Sequence, residues 1–574
     1  MADLIFGMND SSSFEKSSDT LAQRSSPVNQ DQGQGTVPSP PPLPADTSGI
    51  KTSKKQLVRA AGVVGLMTLT SRILGMIRDI VTAGKFGTTW HWDSFIYAFM
   101  LPNFFRRLVG EGALSSAFIP VYSETLQQKS KADAFRFANV IGTLLAFGLT
   151  IFMLVVELIL HFLMKADFLS PRLHLTVDLL RIFFPYLFFI SLFALAMGIL
   201  NCHQHFFTPA LGPVILDLAW IVGVLWVIPH AGKIPENQLR WLAVILLISG
   251  ALQFAVDIPP LYKMGFRFKW TWDVAHEGLQ KTFRLLLPAI MGFAIVQLNL
   301  LLDMVCGYFI GAGANSSLWY GTRLMQFPLG VFGIAMGTAL LPTISHQVAR
   351  KEHEAAKKTL SFAMRSIALI ILPCTVGLIV LSTPIVQLLF ERGKFDAVST
   401  ARTASVLTCY DIGLYSYAGE KIMAAGFFAS QNTRIPVIMG IVSLTINAIL
   451  NVILMRYFNE SGLALATAVA SIIELILLVN YYHKKISSLP ISEIVWSFFR
   501  ILGASLAMGV FCWACFQTFS HFYPDKKVWQ MLIRVFGTIS LSTIAYVVFC
   551  FVFRVPEIRE AFDFLKRKKT LPQA

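Results

Sequence analysis

From near Leu57 to near Phe553 the chain repeats one pattern, an apolar run followed by a short polar or basic break. Helical runs of about 20 apolar residues cross a hydrocarbon core of about 30 Å, and the pattern predicts about 14 such spans. They fall near 57–82, 94–122, 136–164, 176–200, 210–229, 239–262, 285–311, 316–345, 362–382, 403–428, 435–456, 460–483, 491–518 and 528–553. The stretch before Lys51 differs. With Ser11-Ser12-Ser13 and Pro38-Ser39-Pro40-Pro41-Pro42, it cannot bury enough apolar surface to offset chain entropy, and a disordered tail is expected. No basic segment followed by an apolar run and a cleavage site opens the chain, so the first span is expected to act as the insertion signal.

Composition agrees with the pattern. Of 574 residues 55% are hydrophobic and 14% charged, against roughly 25% charged in a soluble globular chain. The formal charge of +15 follows from topology, because basic residues near helix ends are retained in the cytoplasm. With the N-terminus inside, roughly 26 Lys and Arg fall on cytoplasmic segments and roughly 11 outside. The main clusters are Lys263/Arg267/Lys269/Lys281/Arg284, Arg350/Lys351/Lys357/Lys358/Arg365 and Lys566-Arg567-Lys568-Lys569. An even span count puts both termini inside, and attraction to anionic lipid accounts for the charge without nucleic acid. Cys512 and Cys515 form the close cysteine pair; in an apolar helix without a nearby His they read as packing residues.

Two sequence echoes recur at nearly one offset. Gly112-Ala113-Leu114 through Ile119-Pro120 resembles Gly337-Thr338-Ala339-Leu340-Leu341-Pro342, each before a basic loop. Gly198-Ile199-Leu200-Asn201 with Pro209 resembles Gly426-Phe427-Phe428 with Gln431 and Pro436. Each offset covers six spans, so the expected fold class is all-α and polytopic, with two six-helix lobes in a parallel repeat and two added C-terminal helices. The expected divisions are a tail over 1–50, an N-lobe over 51–265, a C-lobe over 266–485, a lipid-tail groove over 486–555 and a basic tail over 556–574. Duplicated transporters hold substrate near the midplane between lobes; chance recurrence of small residues and Pro in a bundle is the alternative.

Ionisable side chains inside a span are costly and normally face a polar cavity. Here they are mostly arginine: Arg72 and Arg78 with Asp79 in the first span, Asp93 opening the second, Arg106-Arg107 and Glu111 towards its end, and Arg323 in the eighth. Arg72 and Asp79 share a helix face, and Arg107 with Glu111 is spaced for an intrahelical pair. Arg72, Arg78, Arg106 and Arg323 remain in excess of acids. Either they share an anion site or they snorkel and pack. For a phosphate-bearing cargo, above all a diphosphate, the planar guanidinium fork offers bidentate contacts that lysine lacks.

Ser71-Arg72-Ile73-Leu74-Gly75-Met76-Ile77-Arg78-Asp79, Asp93-Ser94-Phe95 and Leu101-Pro102-Asn103-Phe104-Phe105-Arg106-Arg107 resemble the MurJ/MviN family. Gly110-Glu111-Gly112 through Pro120, Tyr320, Arg323-Leu324-Met325-Gln326-Phe327-Pro328 and Gly337-Thr338 with Leu341-Pro342 extend the resemblance, which covers about residues 57–553. It implies a multidrug/oligosaccharidyl-lipid/polysaccharide exporter fold and a transporter rather than an enzyme. The implied cargo is lipid II, an undecaprenyl-diphosphate-linked disaccharide-pentapeptide, flipped from the cytoplasmic to the outer leaflet of a bacterial inner membrane by alternating access.

Matching motif positions implies Arg72, Arg78, Asp93, Arg106 and Arg323 as cavity residues, with Arg72, Arg78 and Arg323 on the diphosphate. The family's acids beside the eighth-span arginine are Thr322 and Gln326 here, which leaves Asp79 as a replacement partner for Arg323. Asp93 either lines the cavity, pairs with an arginine or caps the second helix. Sodium coupling in some members implies Asp303, Asn447, Asn451 and Thr467 as oxygen ligands, with a plain interhelical hydrogen-bond network as the alternative. No tightly bound cofactor is implied; sodium or membrane potential would reset the carrier.

Three rivals remain in view. A flippase for another undecaprenyl-diphosphate-linked oligosaccharide would share the diphosphate site. A cation or drug antiporter would need an acid-lined cavity. An enzyme acting on a prenyl diphosphate would need carboxylates for a metal or a base, and no DDxxD-like or HExxH cluster occurs.

Overall fold

Local chemistry sets where helices start. Thr89 Oγ1 accepts the Trp92 N–H and opens a helix at Trp90, Ser130 caps the helix from Lys131, and Ser170 caps the one from Pro171. The computed structural model describes residues 54–106, 114–166, 169–524 and 527–558, and no strand occurs among them. The expected tail over 1–50, the Arg107–Glu111 pair, Gly112-Ala113 and the basic ending at Lys566–Lys569 lie outside the described residues. Val58–Ala574 form one compact unit; of the other, Met1–Leu57, only Lys54–Leu57 are described.

The first helices are α1 (Lys54–Phe86), α2 (Trp90–Phe105), α3 (Ser115–Gln128), α4 (Lys131–Met164), α5 (Pro171–Phe183), α6 (Tyr186–Cys202), α7 (Phe207–Val222) and α8 (Pro235–Lys263). Next come α9 (Glu277–Ile310), α10 (Ala314–Pro328), α11 (Ile334–Ala349), α12 (His353–Val380), α13 (Ser382–Phe390), α14 (Ala397–Ile412), α15 (Leu414–Ala429) and α16 (Arg434–Lys485). The chain continues with α17 (Ile491–Phe522) and α18 (Val528–Val552).

Among the described residues eight helices are long and apolar enough to cross a membrane, or nine with α5 and α6 taken as one span bent by 41°. They carry ten of the expected spans, because α16 holds both 435–456 and 460–483. The other four fall on α1, on α2 with α3, on α9, and on α14 with α15. Asn459, at φ 50°, divides α16 in the gap between the expected spans 435–456 and 460–483, whereas the expected span 316–345 is interrupted by a π-helical turn over Leu329–Gly333 that separates α10 from α11.

Packing joins helices both adjacent and distant in the chain. α8 packs on α6 and α7, α2 on α5, α16 on α9, α14 and α15, and α17 on α12 and α18. An aromatic core of Trp92, Phe95, Phe99, Phe183 and Trp220 joins α2, α5 and α7, with Phe99 and Trp220 centroids 5.2 Å apart. Aromatic pairs in this geometry add roughly 0.5–1.5 kcal/mol each beyond burial. That core holds the floor on which the first arginine rests.

Candidate functional site

Arg78 sits at the centre. Its Nη1 donates to Asp217 Oδ1 at 2.8 Å, and its Nε and Nη2 donate to Asp79 Oδ1 at 3.0 and 2.9 Å. Its guanidinium stands 4.9 Å from the centroid of Trp220. Thr82, which accepts the Trp220 indole N–H at 3.1 Å, donates back to the Arg78 carbonyl at 2.6 Å. Arg78, Asp79 and Asp217 are 8%, 3% and 4% exposed, so this charge cluster is locked in place. Asp79 pairs with Arg323 Nε at 3.5 Å, taking the place of the acid that Thr322 and Gln326 lack. Arg323 in turn lies over Trp319, 4.5 Å from its centroid.

Two cavities meet at this cluster, of about 330 and about 440 Å³, and both are lined by Ser71, Arg78, Pro213, Asp217 and Arg323. Arg106, at the end of α2, lines the first; Arg72, exposed on α1, lines the second with Gln326. Among the described lining residues four arginines and two carboxylates meet, an excess of positive charge suited to an anion. The Arg72 guanidinium lies against Gly330 of the π-helical turn, where a Cβ would require it to shift. Among the described residues Arg72 enters no ion pair, whereas Arg78 is held by two acids. The expected pairing of Arg72 with Asp79 is replaced by Asp79 with Arg78 and Arg323, since those side chains reach it first.

Asp93 lies elsewhere. It is fully buried, lines neither cavity, and pairs with Arg172 at 3.1 Å. It also accepts the backbone N–H groups of Gly313 at 2.6 Å and Ser316 at 2.8 Å, together with the Ser316 hydroxyl. Of the alternatives the sequence left open, the arginine partner is realised, and the helix end it serves is that of α10 rather than α2. A carboxylate among N-terminal amides complements the helix dipole.

Asp303, Asn447, Asn451 and Thr467 converge from α9 and α16. Asn451 Nδ2 donates to Asp303 Oδ1 at 2.7 Å and to Asn447 Oδ1 at 2.6 Å, and Thr467 Oγ1 donates to Asp303 Oδ2 at 3.3 Å. No cluster of three or more His, Cys, Asp or Glu suited to a metal occurs among the described residues. The donor set here is one carboxylate with neutral oxygens, and the buried Asn451 Oδ1 has no hydrogen-bond partner. That orphan acceptor fits a hard monovalent cation. A cavity of about 120 Å³ lined by both Asp303 and Arg323 joins this cluster to the arginines.

A family model described as "Lipid II flippase MurJ" matches residues 82–533. The chain belongs to the lipid II flippase MurJ family. It is 33% identical over 510 residues to a "Probable lipid II flippase MurJ" of Haemophilus influenzae, covering 84% of this chain and 96% of that one. A "Lipid II flippase MurJ" of Burkholderia cenocepacia is 32% identical over 469 residues, covering 80% and 90%. A solved MurJ structure in an inward closed conformation superposes with a TM-score of 0.69 at 27% identity, over 85% of this chain and 98% of that one. An inward-facing multidrug resistance MATE family transporter, at 16% identity and TM-score 0.60 over 74% and 95%, shares the fold. Membership of the MurJ family and the apolar helices make the protein a multi-pass membrane transporter, not an enzyme.

Asp217 of the arginine cluster and Arg172, the partner of Asp93, are absent from the sequence-derived set. Asp217 is the single acid in the apolar run 210–229, a signal as strong as that of Arg323. Arg172 lies just before an expected span, beside a helix cap, where a basic residue attracts no notice. Cys512 is buried and Cys515 half-buried in α17.

Proposed function

We propose that the protein carries lipid II across a bacterial inner membrane, from the cytoplasmic to the outer leaflet, by alternating access. The observation that supports this reading is the pair of adjoining cavities whose described lining brings Arg72, Arg78, Arg106 and Arg323 together with Asp79 and Asp217. Arg72 and Arg323 grip the diphosphate, while Arg78, braced by its two acids, supplies fixed positive field and shapes the chamber. The headgroup occupies the cavities and the prenyl tail stays in lipid against α17 and α18.

In this reading residues 51–265 and 266–485 act as two lobes that rock about the site, and both termini are cytoplasmic. Asp303, Asn447, Asn451 and Thr467 would hold a sodium ion, which supplies a charge to balance Asp303 when bound. Because Asp303 and Arg323 line one cavity, occupancy of either site alters the field at the other. A cation or drug antiporter is disfavoured by the sign of the chamber.

Complementation tests the reading. In bacteria depleted of their lipid II flippase, the wild-type chain restores growth, while Arg72→Ala and Arg323→Ala express normally and do not. Rescue by both variants removes the arginines from the mechanism. Rescue of an O-antigen flippase defect in place of the lipid II defect reassigns the cargo.

A further inference from the structure

The link between α8 and α9 carries a pattern that cargo transport leaves unused. Phe266-Arg267-Phe268-Lys269-Trp270-Thr271-Trp272 places an aromatic residue at every even position and a cation at 267 and 269. The chain is non-helical here and is pinned along α4. Asn139 Nδ2 donates to the Arg267 carbonyl at 3.3 Å, the Lys269 N–H to Asn139 Oδ1 at 3.1 Å, and the Thr271 N–H to Thr143 Oγ1 at 3.0 Å. Asn139 and Thr143 are one helical turn apart, which matches alternate residues of an extended chain. Pinning the odd residues turns Phe266, Phe268 and Trp270 the same way.

Those three aromatics form one wall of a cavity of about 310 Å³ that shares no lining residue with the arginine chamber and has no charged residue in its lining. The opposite wall is a slot along α4 made by Ala138, Gly142 and Ala146, about 12 Å long at the helical rise. Gly142 lets Phe268 and Leu195 close against α4, since a Cβ there would stand 3.1 Å from the Phe268 ring and 3.3 Å from Leu195. Phe268 and Trp270 remain 45% and 64% exposed, as aromatic residues near a membrane–water interface do.

The rim is basic. Arg267 lies 5.8 Å from the centroid of Tyr262, itself a wall residue, and Lys131 lies 5.5 Å from that of Phe135, which packs on Phe266 at 5.3 Å. Of the acids nearby, Asp273 is paired with Arg136 at 3.1 Å, and Asp133 accepts the Ser130 hydroxyl at 2.7 Å. An apolar slot with cations at its mouth has the chemistry of a lipid tail below a phosphate. A peptide would find no partners in it for its backbone.

We propose that this groove holds one acyl chain of an anionic phospholipid, with its phosphate on Arg267 and Lys269, as a resident lipid distinct from the cargo. Such a lipid ties α4 and α6 to the α8–α9 link. The test is native mass spectrometry of the delipidated full chain with equimolar phosphatidylglycerol and phosphatidylcholine of identical chains. The wild type retains phosphatidylglycerol in preference. Arg267→Gln with Lys269→Gln weakens it about 30-fold, near fivefold per cation, and abolishes the preference. Gly142→Leu fills the slot and lowers retention of both lipids; Ala146→Phe reads the same point if that variant does not fold. Glycerol phosphate at millimolar concentration leaves the lipid bound. Equal retention of the two lipids by the wild type, undiminished binding in both classes of variant, or displacement by glycerol phosphate alone overturns the proposal.

Discussion

Arg78 on α1 and Asp217 on α7 meet at 2.8 Å, 139 residues apart in the chain and both nearly excluded from solvent. This contact turns a string of arginines into a chamber of defined shape, because it fixes one guanidinium and leaves its neighbours to face the cavity.

Breaking that pair from one side is expected to be costly. Asp217→Ala leaves Arg78 with one carboxylate and should destabilise by about 1.5–3 kcal/mol, the worth of a hydrogen bond between charged groups. The double variant Arg78→Ala with Asp217→Ala should be less destabilised than the sum of the single changes by roughly 1 kcal/mol or more. Thermal unfolding of the four proteins in detergent measures the coupling, and strict additivity would show that the contact has no energetic content.

Gly330 separates stability from function. Alanine there is a better helix former by roughly 0.5–1 kcal/mol, yet its Cβ needs the space taken by the Arg72 guanidinium. Gly330→Ala should melt no lower than the wild type while failing to support growth in the complementation assay. Full growth would mean that Arg72 is dispensable or moves without consequence.

Asp93 should behave as a structural tie. Asp93→Asn leaves Arg172 facing no charge and weakens the contacts to Gly313 and Ser316. A loss of about 3–5 kcal/mol is expected from an orphaned buried charge. Hydrogen exchange should show faster opening at the start of α10, and unchanged protection there would argue against the tie.

Sodium binding makes its own prediction. An ion held only by the folded protein stabilises it by about 2.7 kcal/mol at a hundredfold excess over Kd. Sodium, in contrast to choline at equal ionic strength, should raise the melting temperature of the wild type and leave Asp303→Asn unmoved. An equal shift in both proteins would reduce Asp303, Asn447, Asn451 and Thr467 to a hydrogen-bond network.

The apolar runs alone determined that the chain is helical and crosses a membrane, since only helices and closed barrels satisfy the backbone within lipid. They also exposed the arginines, because a guanidinium in such a run is conspicuous whatever surrounds it. Sequence could not decide which acid meets which arginine. Arg78 and Asp217, or Asp93 and Ser316, are brought together by packing over 139 and 223 positions of chain, and no local periodicity encodes such distances. The same limit explains why Asp93 read as a cavity residue: a lone acid at a helix start looks alike from sequence whether it faces a ligand or another helix. Tertiary structure decided that difference, because burial and the direction of a side chain depend on which helices pack around it.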